Sequence, residues 1–190
     1  MSMQIFELVL NKETDGVDAI SVVDRPAIEE NFIALKEQHE VKLAEVDTDK
    51  RILMGAALVP DKMIYRKNGK EEYNVFFSKD TIKQASELFM INGNQSNATL
   101  MHSAAVKDLT VVETWIVDNP EMDKSKEYGF SLPKGTWMIS MKVNNDDIWA
   151  KVKAGEIKGF SIEGYFADKV QMTSNNEKII EQLKELLNGK

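Results

Sequence analysis

Lys158-Gly159-Phe160-Ser161-Ile162-Glu163-Gly164-Tyr165-Phe166 is the stretch on which the fold class turns. A serine between glycines invites comparison with the G-x-S-x-G nucleophile elbow. Here the second glycine falls one position too late, and the alternating residues predict a strand in place of a strand-to-helix turn. An α/β-hydrolase is therefore disfavoured. The alternation sets Phe160, Ile162 and Phe166 on one face and Ser161, Glu163 and Tyr165 on the other, so a hydroxyl can face a groove while its neighbours enter the core. For a serine taken at random, an ordinary strand position is the commoner explanation.

Upstream of this stretch the pattern is also strand-rich. Thr136 to Val143, Leu109 to Val117 and the short Ala98 to His102 are extended, and Asp118 to Gly129 reads as a surface loop. Ser78 caps an expected helix from Lys79 to Met90 whose Ile82, Ala85, Leu88 and Phe89 share one face. Asn145 caps another from Asp146 to Ala154, with acids in its first turn and Gly155 beyond its end. Met63 to Arg66 and Glu72 to Phe77 flank Asn68-Gly69, a strong hairpin signal. Ile52 to Val59 is apolar on both faces, as a central strand would be, and Pro60-Asp61 ends it. Gln4 to Leu10 and Val17 to Val23 predict two strands joined by a turn, and Pro26 opens a short helix.

These segments imply three regions. Residues 1–50 hold N-terminal strands, a short helix and a charged linker, Glu37 to Lys50; residues 51–170 form the main body; residues 171–190 form an amphipathic helix with Ile179, Ile180, Leu183, Leu186 and Leu187 on one face. The expected architecture is α+β, a closed or nearly closed β-barrel with two or three helices.

Composition narrows the function. The chain has 190 residues, enough for one domain with a real core. Its net charge of -7 and pI near 5.0 argue against nucleic acid as a partner, since such surfaces are normally basic. The absence of cysteine excludes disulfides, thiolate zinc sites and cysteine catalysis, and makes the cytosol the default compartment. No stretch approaches the ~20 apolar residues of a membrane span, and no secretory signal is expected. The sequons at Asn94 and Asn97 are then coincidental. No H-E-x-x-H, P-loop or dinucleotide fingerprint is present, so no metal or cofactor is expected. Trp115, Trp137 and Trp149 read as core and rim aromatics.

Two histidines remain as candidate bases. His39 lies among Lys36, Glu37, Gln38 and Glu40, where exposure explains it; His102 is the histidine of the main body. A structural histidine is the alternative for His102. Glu113 shares a strand face with Val111, Trp115 and Val117, so its carboxylate needs a partner, and orienting His102 is one role for it. An edge-strand glutamate that simply reaches water is the other explanation. Asp108 and Glu163 are further candidates for the same role.

Taken in order, Ala19-Ile20-Ser21-Val22-Val23-Asp24-Arg25-Pro26-Ala27, Gly55-Ala56-Ala57-Leu58-Val59-Pro60, Leu100-Met101-His102, Val112-Glu113-Thr114-Trp115, Leu132-Pro133-Lys134-Gly135-Thr136-Trp137, the helix Ile148 to Gly155, and Gly159 to Gly164 resemble the phage prohead (capsid maturation) proteases, in particular the XkdF-like serine protease branch. The resemblance implies a mostly antiparallel β-barrel of the herpesvirus-assemblin type with a few peripheral helices. It implies a serine endopeptidase that processes scaffold and capsid-protein segments, and its own termini, inside the assembling prohead in the host cytoplasm. Ser161 then takes the nucleophile position and His102 the base position, with Glu113 placed as third member by order and chemistry. Major capsid protein and scaffold protein are the implied partners, and a homo-oligomer is open. Glu37 to Lys50 and Gln171 to Asn176 are exposed polar zones suited to self-cleavage. A non-catalytic capsid-assembly or scaffold-binding protein is the alternative, and an unrelated α+β binding domain a third.

Overall fold

The computed structural model describes residues 4–11, 15–27, 33–36, 49–68 and 71–170. The helix expected after Pro26, most of the Glu37 to Lys50 linker, His39, the self-cleavage zone from Gln171 and the C-terminal amphipathic helix lie outside the described residues. In chain order the strands are β1 Gln4–Val9, β2 Gly16–Val23, β3 Ile33–Lys36, β4 Asp49–Leu58, β5 Ile64–Asn68 and β6 Glu71–Phe77. Helix α1, Lys79–Ile91, and a 3₁₀ turn, Asn94–Ser96, follow. Then come β7 Ala98–Leu100, β8 Ala104–Val106, β9 Leu109–Ile116, α2 Lys124–Glu127, β10 Trp137–Val143, α3 Asp146–Lys153, β11 Gly159–Tyr165 and β12 Ala167–Val170.

The strands form three open sheets of four, in the orders β12-β1-β6-β5, β3-β4-β10-β9 and β11-β2-β7-β8. This corrects the barrel expectation. A barrel requires every strand to be flanked on both sides. Among the described residues each sheet ends in strands with one neighbour, and β11 meets β4 by packing, since β4 already has β3 and β10 on its two edges. The sheets are also mixed, because β1 runs parallel to β6 and β2 parallel to β7. The expected turn between β1 and β2 makes no hairpin, since the two strands belong to different sheets.

Local chemistry explains the elements that the sequence marks most strongly. The Ser78 hydroxyl accepts from Thr81 N at the start of α1, with Asp80 in the first turn. Ile82, Ala85 and Phe89 face inward, and Phe89 meets Trp137 edge to face at 5.4 Å between ring centres. That places α1 against β2 and β10. Asn145 caps α3 through Ile148 N. β10 and β4 are buried along most of their length, Leu53, Met54, Ile139 and Met141 being at most 1% exposed, which suits central strands. Each such side chain contributes roughly 1.5–3 kcal/mol by leaving water. The Asp118 to Gly129 excursion is not all loop, since Asp123 caps the single turn of α2.

Two constraints position β11. A bulge falls between Glu163 and Gly164, and a Cβ added at Gly164 would lie 1.8 Å from the Gly16 carbonyl oxygen. Only glycine lets the strands approach that closely. The chain then breaks at Phe166, so the single strand expected from Lys158 to Ala167 divides into β11 and β12, which enter different sheets.

Candidate functional site

In the β11-β2-β7-β8 sheet, Ser161 lies opposite Ser21, and Ser21 is registered with Thr99. Cross-strand neighbours share a face, so three hydroxyl residues form a row across β11, β2 and β7. Glu163 occupies the same face of β11 two residues further on. Ser21 is fully buried and Ser161 nearly so.

The loop joining β7 to β8 carries His102. Met101 and His102 both have left-handed backbone angles, φ 51° and 55°, and Ser103 N donates to Leu100 O at 3.1 Å. Two left-handed central residues are the mark of the tight turns that suit twisted hairpins, usually built with Asn, Asp or Gly. Met and His adopt this conformation at a cost of roughly 1–2 kcal/mol each. Neighbouring contacts offset that cost. Ser21 Oγ accepts from His102 N at 3.0 Å, Met101 N donates to Val22 O at 3.1 Å, and Ser103 Oγ donates to Leu100 O at 3.0 Å. The extended run expected as far as His102 therefore ends at Leu100 for a physical reason: the turn lifts the imidazole off the strand.

His102 Nδ1 lies 3.1 Å from Glu163 Oε1, an ion pair whenever the ring is protonated. Thr99 Oγ1 donates to the same carboxylate oxygen. A carboxylate accepts only, so a neutral His102 carries its proton on Nδ1 and leaves Nε2 as the acceptor. Among the described residues Nε2 has no partner. Ser161 and His102 are not hydrogen-bonded to each other.

Ser161 also lines a cavity of about 220 Å³ together with Leu58, Phe77, Phe160, Ile162 and Phe166. Phe160, Ser161 and Ile162 belong to alternating faces of β11, so the cavity meets that strand along its edge.

Glu113 sits elsewhere. It is on β9, the edge of the β3-β4-β10-β9 sheet, where Lys124 Nζ and Ser140 Oγ (2.9 Å) donate to its carboxylate. Burial pushes its carboxyl up, but the hydrogen bonds from Lys124 and Ser140 and the Lys124 charge outweigh this and hold it below the ordinary value. Lys124 also lies over the Trp115 ring at 4.2 Å. The structure thus joins His102 to Glu163 and leaves Glu113 in a lysine-centred surface cluster. Asp108 is at the turn before β9, where its carbonyl accepts from Asn144 N at 2.8 Å. Ser21 and Thr99 were not legible as site residues, because their roles arise from strand register and nothing in their local sequence marks them. Trp137 and Trp149 are core residues and Trp115 is half-buried. Among the described residues no helix is long and apolar enough to cross a membrane.

A serine and a carboxylate-held imidazole on one sheet are the residue types of a serine hydrolase. A family model described as "Putative phage serine protease XkdF" matches residues 40–184, and the chain belongs to that family. It is 24% identical over 153 residues to the uncharacterized protein YqbD of Bacillus subtilis (strain 168), which covers 76% of this chain and 43% of YqbD. It is also 24% identical over 102 residues to the phage-like element PBSX protein XkdF of the same organism, covering 54% of this chain and 34% of that protein. The chain thus spans less than half the length of these curated relatives. No solved structure matches it.

Proposed function

We propose that this chain acts in phage particle assembly as a component that binds capsid or scaffold protein, without a preformed catalytic pair. Membership of a phage protein family and the relation to a PBSX protein support the assembly context. The observation that carries the non-catalytic part is the missing hydrogen bond between Ser161 and His102, whose imidazole is held by Glu163 instead. Its setting in this reading is the host cytoplasm, within the assembling prohead.

A second reading, a serine endopeptidase, is favoured by the choice of ring nitrogen. With Nδ1 on Glu163, Nε2 remains as the acceptor, the arrangement that general-base catalysis by histidine uses. Ser161 would attack the peptide carbonyl as Nε2 takes its proton. The imidazolium would return that proton to the leaving amine, and water would then hydrolyse the acyl-enzyme by the same steps. Catalytic hydrogen bonds are often long until substrate arrives, so this reading needs only that Ser161 and His102 close on a bound peptide.

The two separate on one experiment. The wild type and Ser161→Ala are each co-expressed with the major capsid and scaffold proteins of the encoding phage, and every product is weighed by intact-mass spectrometry. Identical masses, with the protein incorporated in particles, are expected of the assembly role. Fragments made by wild type alone would overturn it and assign proteolysis to Ser161.

A further inference from the structure

β9 is an outer strand of its sheet among the described residues, and its first half is covered: Ser96 Oγ and Thr110 Oγ1 are hydrogen-bonded at 3.0 Å, which sets the 3₁₀ turn against it. Residues 112–116 differ, since none of them is buried. Val117 N donates to Thr136 O at 2.9 Å and Gly135 N donates to Val117 O at 2.8 Å, so the Val117 backbone faces the β10 side. Alternation then turns the N–H and C=O groups of Thr114 and Ile116 outward, where they have no partner among the described residues. An unpaired edge of this kind is a template for one more strand.

Helix α1 lies beside that edge. Ile116 is registered with Trp137, Trp137 Nε1 donates to Thr114 Oγ1 at 2.6 Å, and Phe89 of α1 meets Trp137 edge to face, so the helix lies over the face that carries Thr114 and Ile116. Between helix and edge is an open groove of about 330 Å³, lined by Glu87, Met90 and Ile91 of α1 and by Thr114, Trp115 and Ile116 of β9. Its helical rim is apolar and faces water, with Met90 38% and Ile91 76% exposed. A free strand edge is where an extended peptide can add to a sheet and place alternate side chains in flanking pockets.

Charge selects the occupant. In the loop after β9 and on β9 itself the charges answer one another: Lys124 pairs with Glu113, Lys126 with Glu121, and Lys134 with Asp118 at 2.7 Å. Glu87 is left over. It is exposed at the groove and has no ion pair among the described residues, Lys83 one turn earlier included. In a chain of net charge -7, an uncompensated carboxylate there attracts a lysine or arginine and repels a second copy of the same face.

We infer that the groove between α1 and the outer edge of β9 binds an extended, basic segment of a partner protein, one in which a large apolar residue and a lysine or arginine alternate with small polar residues. The segment pairs with Thr114 and Ile116 as a further strand, its apolar side chain enters the groove against Met90 and Ile91, and its cation meets Glu87. This rests on the assembly reading for the role of the partner and adds the chemistry by which the partner is held.

The probe is a fluorescent heptapeptide, acetylated and amidated at its ends, with leucine at the centre, lysine two residues to either side and threonine elsewhere. Titrated with the full chain and read by anisotropy, it should bind saturably. Replacing the leucine with serine should weaken binding roughly tenfold. Glu87→Lys, which alters one exposed side chain and is checked by thermal unfolding, should weaken the lysine peptide several-fold and strengthen its glutamate counterpart. N-methylation of one alternate set of residues, the leucine and lysines or the threonines, should abolish binding, and of the other set should leave it. Amide exchange at Thr114 and Ile116 should be fast in the free chain and slowed by the peptide. No binding at millimolar peptide, equal affinity for the leucine and serine peptides, indifference to Glu87→Lys, or equal effects of the two methylations would overturn the inference. Exchange already slow in the free chain would overturn it too, by assigning the edge to another segment of the chain or, where protection grows with concentration, to a second copy. Binding is read on purified chain and intact probe, so its failure leaves the result of the co-expression experiment standing, and the reverse.

Discussion

His102 Nδ1 lies 3.1 Å from Glu163 Oε1, across 61 residues of chain, and the pair sets the tautomer of the imidazole. For the neutral ring, nitrogen-15 shifts should show the proton mainly on Nδ1. Glu163→Ala should move the population several-fold toward Nε2–H, because a half-exposed hydrogen bond to a charged group is worth about 1 kcal/mol. Glu113→Ala should leave it unchanged. A His39→Gln background removes the other histidine signal. If both glutamate variants behave alike, the assignment of Glu163 fails.

Ser21 supports the same turn from beneath. Its Oγ accepts from His102 N, and the residue is fully buried. Ser21→Ala leaves that amide without its partner and should cost about 1–3 kcal/mol in chemical denaturation. Amide exchange at His102 should accelerate beyond what the global loss explains. An unchanged exchange rate there would mean that the turn holds itself.

Gly164 admits no side chain. Gly164→Ala drives a methyl group into the Gly16 carbonyl and must spread β11 from β2. A loss of about 1–3 kcal/mol or more is expected, read as a fall in Tm. Gly155→Ala is a useful contrast. Among the described residues nothing lies within 4 Å of the added carbon, so backbone strain at φ 71° is what remains and the fall should be smaller.

Acid should act on Glu113. Its folded-state pKa is below the ordinary 4.5, so the ionised form stabilises the fold. That contribution is complete above 4.5 and is lost as the pH falls through the depressed folded value. Thermal unfolding of wild type and Glu113→Gln should therefore differ near neutrality and converge on acidification. The gap should stay under about 1 kcal/mol, since the side chain is 45% exposed and solvent screens the pair. A gap that widens in acid would contradict the sign.

Local signals in the sequence translated well where they were chemical. β5 and β6, expected on either side of the Asn68-Gly69 signal, pair as a hairpin with Asn68 as the last residue of β5, and Ser78 and Asn145 cap the helices expected after them. The apolar run at Ile52 became a strand flanked on both sides. What alternation could not carry was pairing. Strand-like runs read the same whether they close a barrel or split into three sheets, and neither parallel ladder has a local signature. The site shows the same division. Ser161 and His102 stood out by residue type, whereas the choice between Glu113 and Glu163 depended on which strand lay across from which. Glu113 was drawn by its apolar neighbours, and Lys124 had already answered its charge.

The parallel ladder between β2 and β7 also bears on when the site can form. Ser21 and His102 are 81 residues apart, and His102 and Glu163 a further 61, so the three meet only after β11 has left the ribosome. Such long-range closure slows folding, because the entropy of ordering the intervening chain comes before the contacts that reward it. Whatever the site does, it cannot do before β11 has been made. A nascent chain lacks this arrangement until β11 has emerged.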